Sequence, residues 1–279
     1  MYNLKIIESP GRIEIYKINK YVVNESKKHE GYKIVERMLK DNEELADVIN
    51  ENKDEVKKDN REKNLIKART NIMRLVQCND DLRVFITLTF KEESDYVSSK
   101  ALLNILFTKL RRDYKGLKYL WVLEYGDKNK RLHFHVVCNI PIGIKLANSN
   151  ERKSEDHKKY ENNFECKYWP HGFVDIRSLD ELENNVSLAL YISEYMVKGL
   201  ENTNLNGYRC YGYSRKTLEK PIETKIYSKR SIEEIISMYQ GYKVRYTNNY
   251  NIGYTNWRGH HEGNVIYIDL IKEKRYLNE

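Results

Sequence analysis

Lys118-Tyr-Leu-Trp-Val-Leu-Glu-Tyr125 and, after the polar turn Gly126-Asp-Lys-Asn-Lys-Arg131, Leu132-His-Phe-His-Val-Val-Cys-Asn-Ile140 decide the reading of this chain. Both runs are rich in β-branched and aromatic residues, and the turn between them is built from strand breakers, so the pair predicts a β-hairpin. Strand side chains alternate with period two, which puts His133 and His135 on one face. Glu124 lies on the partner strand, inside the apolar run Tyr119 to Leu123. A carboxylate there is costly unless it is paired or coordinates a cation. Two imidazoles and a carboxylate make a mixed nitrogen and oxygen donor set. It suits Mg²⁺ or Mn²⁺ polarising a phosphate. Taken alone, a His-x-His pair fits a hydrogen-bonded structural role equally well, and Lys118, Lys130 or Arg131 could neutralise Glu124.

Around the hairpin the pattern alternates. Arg83-Val-Phe-Ile-Thr-Leu-Thr-Phe90 reads as a strand, and Tyr96 to Tyr114 as an amphipathic helix with Leu102, Leu103, Leu106, Phe107 and Leu110 inward. Ala147 to Lys167 is highly charged and predicts an exposed helix or an inserted loop; Trp169 to Ile176 predicts a fourth strand, and Leu179 to Leu200 a second amphipathic helix. The order predicts an α+β domain. It would have an antiparallel sheet, a ferredoxin-like or RRM-like βαββαβ core, and helices on one face. Before it, Glu36 to Val76 reads as exposed helix, with Leu65 to Val76 packing one face inward. After it come a helix over Ser231 to Gln240 and strands near Tyr242 to Tyr246 and Asn264 to Leu270. The expected organisation is an N-terminal strand and helix extension (1–80), a central domain (81–222), and a C-terminal helix with strands packing on the core (223–279).

In Leu190-Tyr-Ile-Ser-Glu-Tyr-Met-Val-Lys198, helical spacing brings Tyr191, Tyr195 and Lys198 to one face. Aromatic residues at this spacing usually pack, yet a lysine in the same stripe argues against full burial. A phenol becomes a good nucleophile only when a cation favours its phenolate. Lys198 and a metal would supply that help.

Three of these segments, taken in order, resemble the HUH endonucleases, and among them the rolling-circle replication initiators of plasmids and phages. Phe85 to Phe90 is similar to their first motif, His133-Phe-His135 to their paired histidines, and Tyr195-Met-Val-Lys198 to their Tyr-x-x-Lys motif. Trp169, Gly172, Tyr211-Gly-Tyr-Ser-Arg215 and Pro221 extend the resemblance over roughly residues 65–222. It implies that His133, His135 and Glu124 hold a divalent metal. It also implies that Tyr195 attacks DNA to form a 5′-phosphotyrosine and release a 3′-OH, with Lys198 orienting the phosphate. Members with a Tyr-x-x-x-Tyr pair alternate two nucleophiles, which makes Tyr191 the candidate second one. Two alternatives remain open, a two-tyrosine transposase of the same superfamily and a DNA-binding replication regulator with no chemistry.

Composition agrees with a nucleic-acid partner: Lys and Arg number 49 against 41 Asp and Glu, a net charge of +8. Lys128, Lys130, Arg131, Arg111, Arg112 and Arg215 are the expected contacts to single-stranded or hairpin origin DNA. The chain contains no Gly-x-x-x-x-Gly-Lys-Ser/Thr loop, so a host helicase and DNA polymerase are implied as partners. Mean hydropathy is −0.77, no apolar run spans a membrane, and Met1 to Pro10 lacks the pattern of a secretion signal. These features predict a cytoplasmic protein. Cys78, Cys138, Cys166 and Cys210 stand apart and read as reduced thiols. Neither His157 with Cys166 and His171 nor His260-His261 has the spacing of a zinc site.

Overall fold

The computed structural model describes residues 2–22, 64, 66–125, 131–182, 191–192, 208–256 and 259–273. In chain order they carry β1 (Tyr2–Ser9), β2 (Arg12–Val22), helix α1 (66–77), β3 (Val84–Leu88), α2 (Tyr96–Asp113), β4 (Tyr119–Tyr125) and β5 (Leu132–Cys138). Then follow α3 (Glu155–Tyr168), β6 (Val174–Ser178), β7 (Tyr211–Tyr213), β8 (Ile222–Ile226), α4 (Ile232–Ser237), β9 (Tyr242–Asn256) and β10 (Gly259–Lys272). They divide into two units, residues 63–220 and residues 1–62 with 221–279. Among the described residues no helix is long and apolar enough to cross a membrane.

In the unit 63–220 the sheet order is β6-β3-β5-β4-β7, with every neighbour antiparallel. Read along β3-α2-β4-β5-α3-β6, the first and third strands are central, the ferredoxin-like arrangement, and β7 adds an edge beside β4. The fold is the α+β class expected. Alternation sorts the two faces. Val84, Ile86, Leu88, Trp121, Leu123, Phe134 and Val136 meet Leu103, Leu106, Phe107 and Leu110 of α2 and Phe164 and Tyr168 of α3. On the opposite face Phe85, Leu120, Val122 and Val137 meet Ile72, Leu75 and Val76 of α1, together with Leu179, Ile192 and Leu218. Helices on one face therefore describes α2 and α3 only, because α1 carries its own apolar stripe and covers the second face.

Local chemistry fixes the helix ends. Asp95 caps α2 by accepting hydrogen bonds from the Val97 and Ser98 amides at 2.8 and 3.0 Å. Ser154 caps α3, with Glu155 and Asp156 in its first turn. The buried side of α3 is partly polar, which disguised it as an exposed segment. His157 is fully buried; its Nε2 donates to the Ile176 carbonyl at 2.8 Å and its Nδ1 accepts from the Ala147 amide at 3.1 Å. Glu161 accepts from the Ile176 amide at 2.6 Å and from Lys153. His157 is thus a structural brace between α3 and β6.

Two glycines are required by close approach. A Cβ on Gly172 would lie 1.9 Å from the Thr89 carbonyl oxygen, the same atom to which Trp169 Nε1 donates at 2.8 Å. A Cβ on Gly212 would lie 2.7 Å from Trp121 Nε1, where the indole crosses the β7 edge.

The second unit joins residues from both ends of the sequence in one antiparallel sheet, β8-β1-β2-β10-β9. One face buries Leu4, Ile6, Ile13, Ile15, Ile268 and Leu270 under Ile235 of α4. On the other, Arg12 Nε donates to Asp269 at 2.8 Å, and Arg245 Nε donates to the same carboxylate at 2.8 Å. The pairing of Arg12 with Asp269 and Glu14 overrides the effect of burial and raises its pKa. The terminal segments expected as separate extensions are therefore partners in one unit. β9 and β10 run longer than the sequence pattern indicated. Only Val265 to Ile271 of β10 pair with β2, whereas the strand pairs with β9 from Gly259 to Lys272. A two-stranded ribbon with exposed faces needs no apolar alternation.

Candidate active site on strands β4 and β5

The hairpin register sets Glu124 directly opposite His133, and Val122 opposite His135. Alternation then brings Glu124, His133 and His135 to the face of the sheet that carries Phe85 and Val137. Glu124 and His135 are 7% and 5% exposed, and Glu124 Oε2 lies 2.5 Å from His135 Nε2. The carboxylate only accepts, so Nε2 carries the proton in this contact. The other ring nitrogen, Nδ1, is 3.2 Å from the Thr87 hydroxyl, which can give or take a hydrogen bond. Thr87 stands opposite His135 in the β3–β5 register. Lys118, one cation considered for Glu124, pairs instead with Asp81 at 3.2 Å.

His133 is half-buried, and burial, reinforced by the charge of His135, lowers its pKa below the ordinary 6.5. Its imidazole is therefore neutral at pH 7, the state in which it can ligate a metal.

Tyr191 meets this face through Phe85. The Tyr191 and Phe85 rings meet edge to face at 5.3 Å between centroids, and Phe85 stacks on the His135 ring at 5.5 Å. Tyr195, Lys198, Lys128 and Lys130 lie outside the described residues. Arg131 is exposed at the start of β5, on the His133 end of the hairpin. Arg111 and Arg112 end α2, which packs on the face opposite His135, and they bond to Thr108 and Asp113. Arg215 follows β7 beside Ser214, whose amide bonds to the Tyr119 carbonyl, at the end of β4 away from Glu124. The structure thus brings together Glu124, His133, His135, Tyr191 and Arg131, and places Arg111, Arg112 and Arg215 elsewhere.

Thr87, Phe85 and Asp175 belong to this region and were not singled out by the sequence as site residues. Asp175 stands opposite Thr87 on β6 and is held by Lys153 and Arg177. Phe85 and Thr87 share a face by simple alternation. Their adjacency to His135 follows only once β3 is known to pair with β5.

Among the described residues, no three His, Cys, Asp or Glu side chains converge as a ready cation site. Glu124 and His135 instead satisfy one another. In donor chemistry the residues fit a divalent ion: a buried carboxylate, a neutral imidazole opposite it, and a second imidazole whose Nδ1 is already steered by a hydroxyl. Glu124, His133 and His135 would hold the ion, with the His135–Glu124 hydrogen bond given up in exchange.

Residues 83–200 match a family model of replication-associated proteins, the ORF2 family, over a span holding β3 to β6, both histidines and the Tyr191 helix segment. No curated protein and no solved structure matches the chain. The similarity supports a Rep-like protein associated with DNA replication.

Proposed function

We propose that the protein initiates rolling-circle replication as a metal-dependent DNA strand transferase of the HUH type. It would nick single-stranded or hairpin origin DNA through a tyrosine. The observation that carries this reading is the buried Glu124–His135 contact, with His133 opposite Glu124, inside the segment similar to replication-associated proteins. Tyr191 supports it by packing on Phe85 beside His135, since helical spacing sets Tyr195 one turn further along.

In the reaction, the Tyr195 phenol oxygen attacks the scissile phosphorus. A tyrosyl O–P bond forms as the P–O3′ bond breaks, and the phenol proton passes to the departing 3′ oxygen. One phosphodiester replaces another, so the step is reversible and permits joining as well as nicking. Mg²⁺ or Mn²⁺, when bound, supplies Lewis-acid polarisation of the phosphate. His133, His135 and Glu124 provide its donors, Thr87 holds the His135 ring, and Lys198 orients the phosphate. Tyr191 would act as the second nucleophile in strand closure. The freed 3′-OH primes the host polymerase, and a host helicase opens the duplex, in the cytoplasm.

The direct His135–Glu124 bond favours one second reading, a DNA-binding regulator in which this pair is structural. Incubating chelator-treated protein with labelled origin-derived single strands, with and without Mn²⁺, separates the two. Cleavage that appears only with Mn²⁺ is expected. Tight binding without cleavage of any such substrate overturns the enzyme reading and leaves the regulator.

A further inference from the structure

At the β7 edge of the same sheet, beyond Glu124, lies a group of residues that the proposed chemistry does not use. The Leu123 amide bonds to the Cys210 carbonyl at 2.8 Å, so Arg209 and Tyr208 continue along the edge beside Glu124. Tyr208 is 47% exposed and stacks on Tyr96 at 4.3 Å between centroids, with 28° between the planes. The Tyr96 hydroxyl donates to the Arg209 carbonyl at 2.9 Å, which ties the start of α2 to this edge. Lys100, one turn along α2, holds its ammonium 4.7 Å from the Trp121 ring centroid, and its hydrogen-bond partner is the neutral amide of Asn104. Among the described residues neither Arg209 nor Lys100 has a carboxylate partner.

We propose that Tyr208, Arg209 and Lys100 form a subsite for one unpaired nucleotide of the DNA strand: the base stacks on the outer face of Tyr208 and its phosphate lies between the two cations. Tyr96 backs the Tyr208 ring, so the platform loses little freedom when a base lands on it. Two like charges side by side repel, and burial together with Arg209 lowers the Lys100 pKa. A phosphate between them relieves that repulsion. A duplex keeps its base faces stacked on one another, so this subsite selects single strands. It deepens the proposed function by naming the edge over which the substrate strand passes, and it rests on that reading for the identity of the strand.

The test measures affinity and nicking separately on the full chain. Fluorescence anisotropy with a labelled single-stranded oligonucleotide in EDTA is compared for wild type, Tyr208→Ala, Tyr208→Phe and Arg209→Gln, with an unlabelled duplex of the same sequence as competitor. Tyr208→Ala should weaken single-strand binding about tenfold and Tyr208→Phe should restore it, since loss of one stacking contact is worth roughly that factor. Arg209→Gln should lower the slope of log affinity against log salt by about 0.7, as for one lost phosphate contact on a single strand. Duplex competition should be unchanged in every variant. If Tyr208→Ala, shown folded by circular dichroism, binds the single strand as tightly as wild type, the subsite is wrong, whatever the nicking result. If the variants lose binding as expected while wild type never nicks, the subsite stands and the enzyme reading falls.

Discussion

Glu124 Oε2 and His135 Nε2 lie 2.5 Å apart across the β4–β5 pair, although the backbone register sets Glu124 opposite His133 and Val122 opposite His135. The carboxylate reaches diagonally along the sheet and leaves the nearer histidine without that bond. One buried acid is thereby shared in prospect between two imidazoles, which is how a strand pair assembles a three-donor cation site.

Loss of either imidazole should separate chemistry from binding. His133→Ala and His135→Ala are expected to lower nicking at least about 100-fold, while affinity for origin DNA changes little, because phosphate contacts by Lys and Arg dominate binding. Gel-based nicking rates beside anisotropy-derived affinities check this. A His135→Ala variant that nicks at the wild-type rate would remove the pair from the mechanism.

The depressed pKa of His133 has a pH signature. The unfolded chain binds a proton near the ordinary 6.5 and the folded chain only at lower pH. Between those two values the unfolded state holds more protons, so the contribution is fully present above 6.5 and is lost as pH falls through that window. Thermal melts of wild type and His133→Phe across this range should show wild type losing more stability on acidification. Parallel curves would count against the assignment.

Gly172→Ala should be strongly destabilising, because its Cβ would overlap the Thr89 carbonyl, whereas nothing lies within 4 Å of a Cβ at Gly143. Forced backbone shifts of this kind cost about 1–3 kcal/mol or more. Urea denaturation followed by tryptophan fluorescence checks it, with Gly143→Ala, expected near neutral, as the comparison. A Gly172→Ala midpoint equal to wild type would contradict the packing described.

The sheet of residues 63–220 was legible because its strands alternate cleanly and α2 shows a strong apolar stripe. The hairpin register, and with it the proximity of Glu124 to the histidines, followed from turn and strand length. Three features were not legible. α3 looked like an exposed segment because His157 and Glu161 bury polar atoms that bond to β6. Thr87 depends on β3 pairing with β5 rather than with β4, a choice that local pattern does not encode. The second unit pairs Ile6 with Ile15 and Ile15 with Ile268, contacts between opposite ends of the chain that no window of sequence contains. Arg111 and Arg112 illustrate the limit from the other side: exposure was readable in the helix pattern, but the sheet face on which α2 would lie was not.

Thr87 should act through His135. Thr87→Val keeps the shape but removes the hydroxyl 3.2 Å from Nδ1, and Thr87→Ser keeps it. Mn²⁺ affinity, read by electron paramagnetic resonance of free Mn²⁺, should fall about 10- to 100-fold in the valine variant and recover in the serine variant. Equal affinities in all three proteins would show that the hydroxyl does not steer the ring.

The covalent adduct tests the central claim most directly. Wild type, Tyr195→Phe, Tyr191→Phe and the double variant are incubated with origin-derived single-stranded DNA and Mn²⁺, and the linked peptide is identified by mass spectrometry after proteolysis. The account predicts an adduct on Tyr195 in wild type and a sharp loss in Tyr195→Phe. Residual adduct should map to Tyr191 and be absent from the double variant. Full adduct yield in Tyr195→Phe, on a peptide that lacks Tyr191, would contradict it.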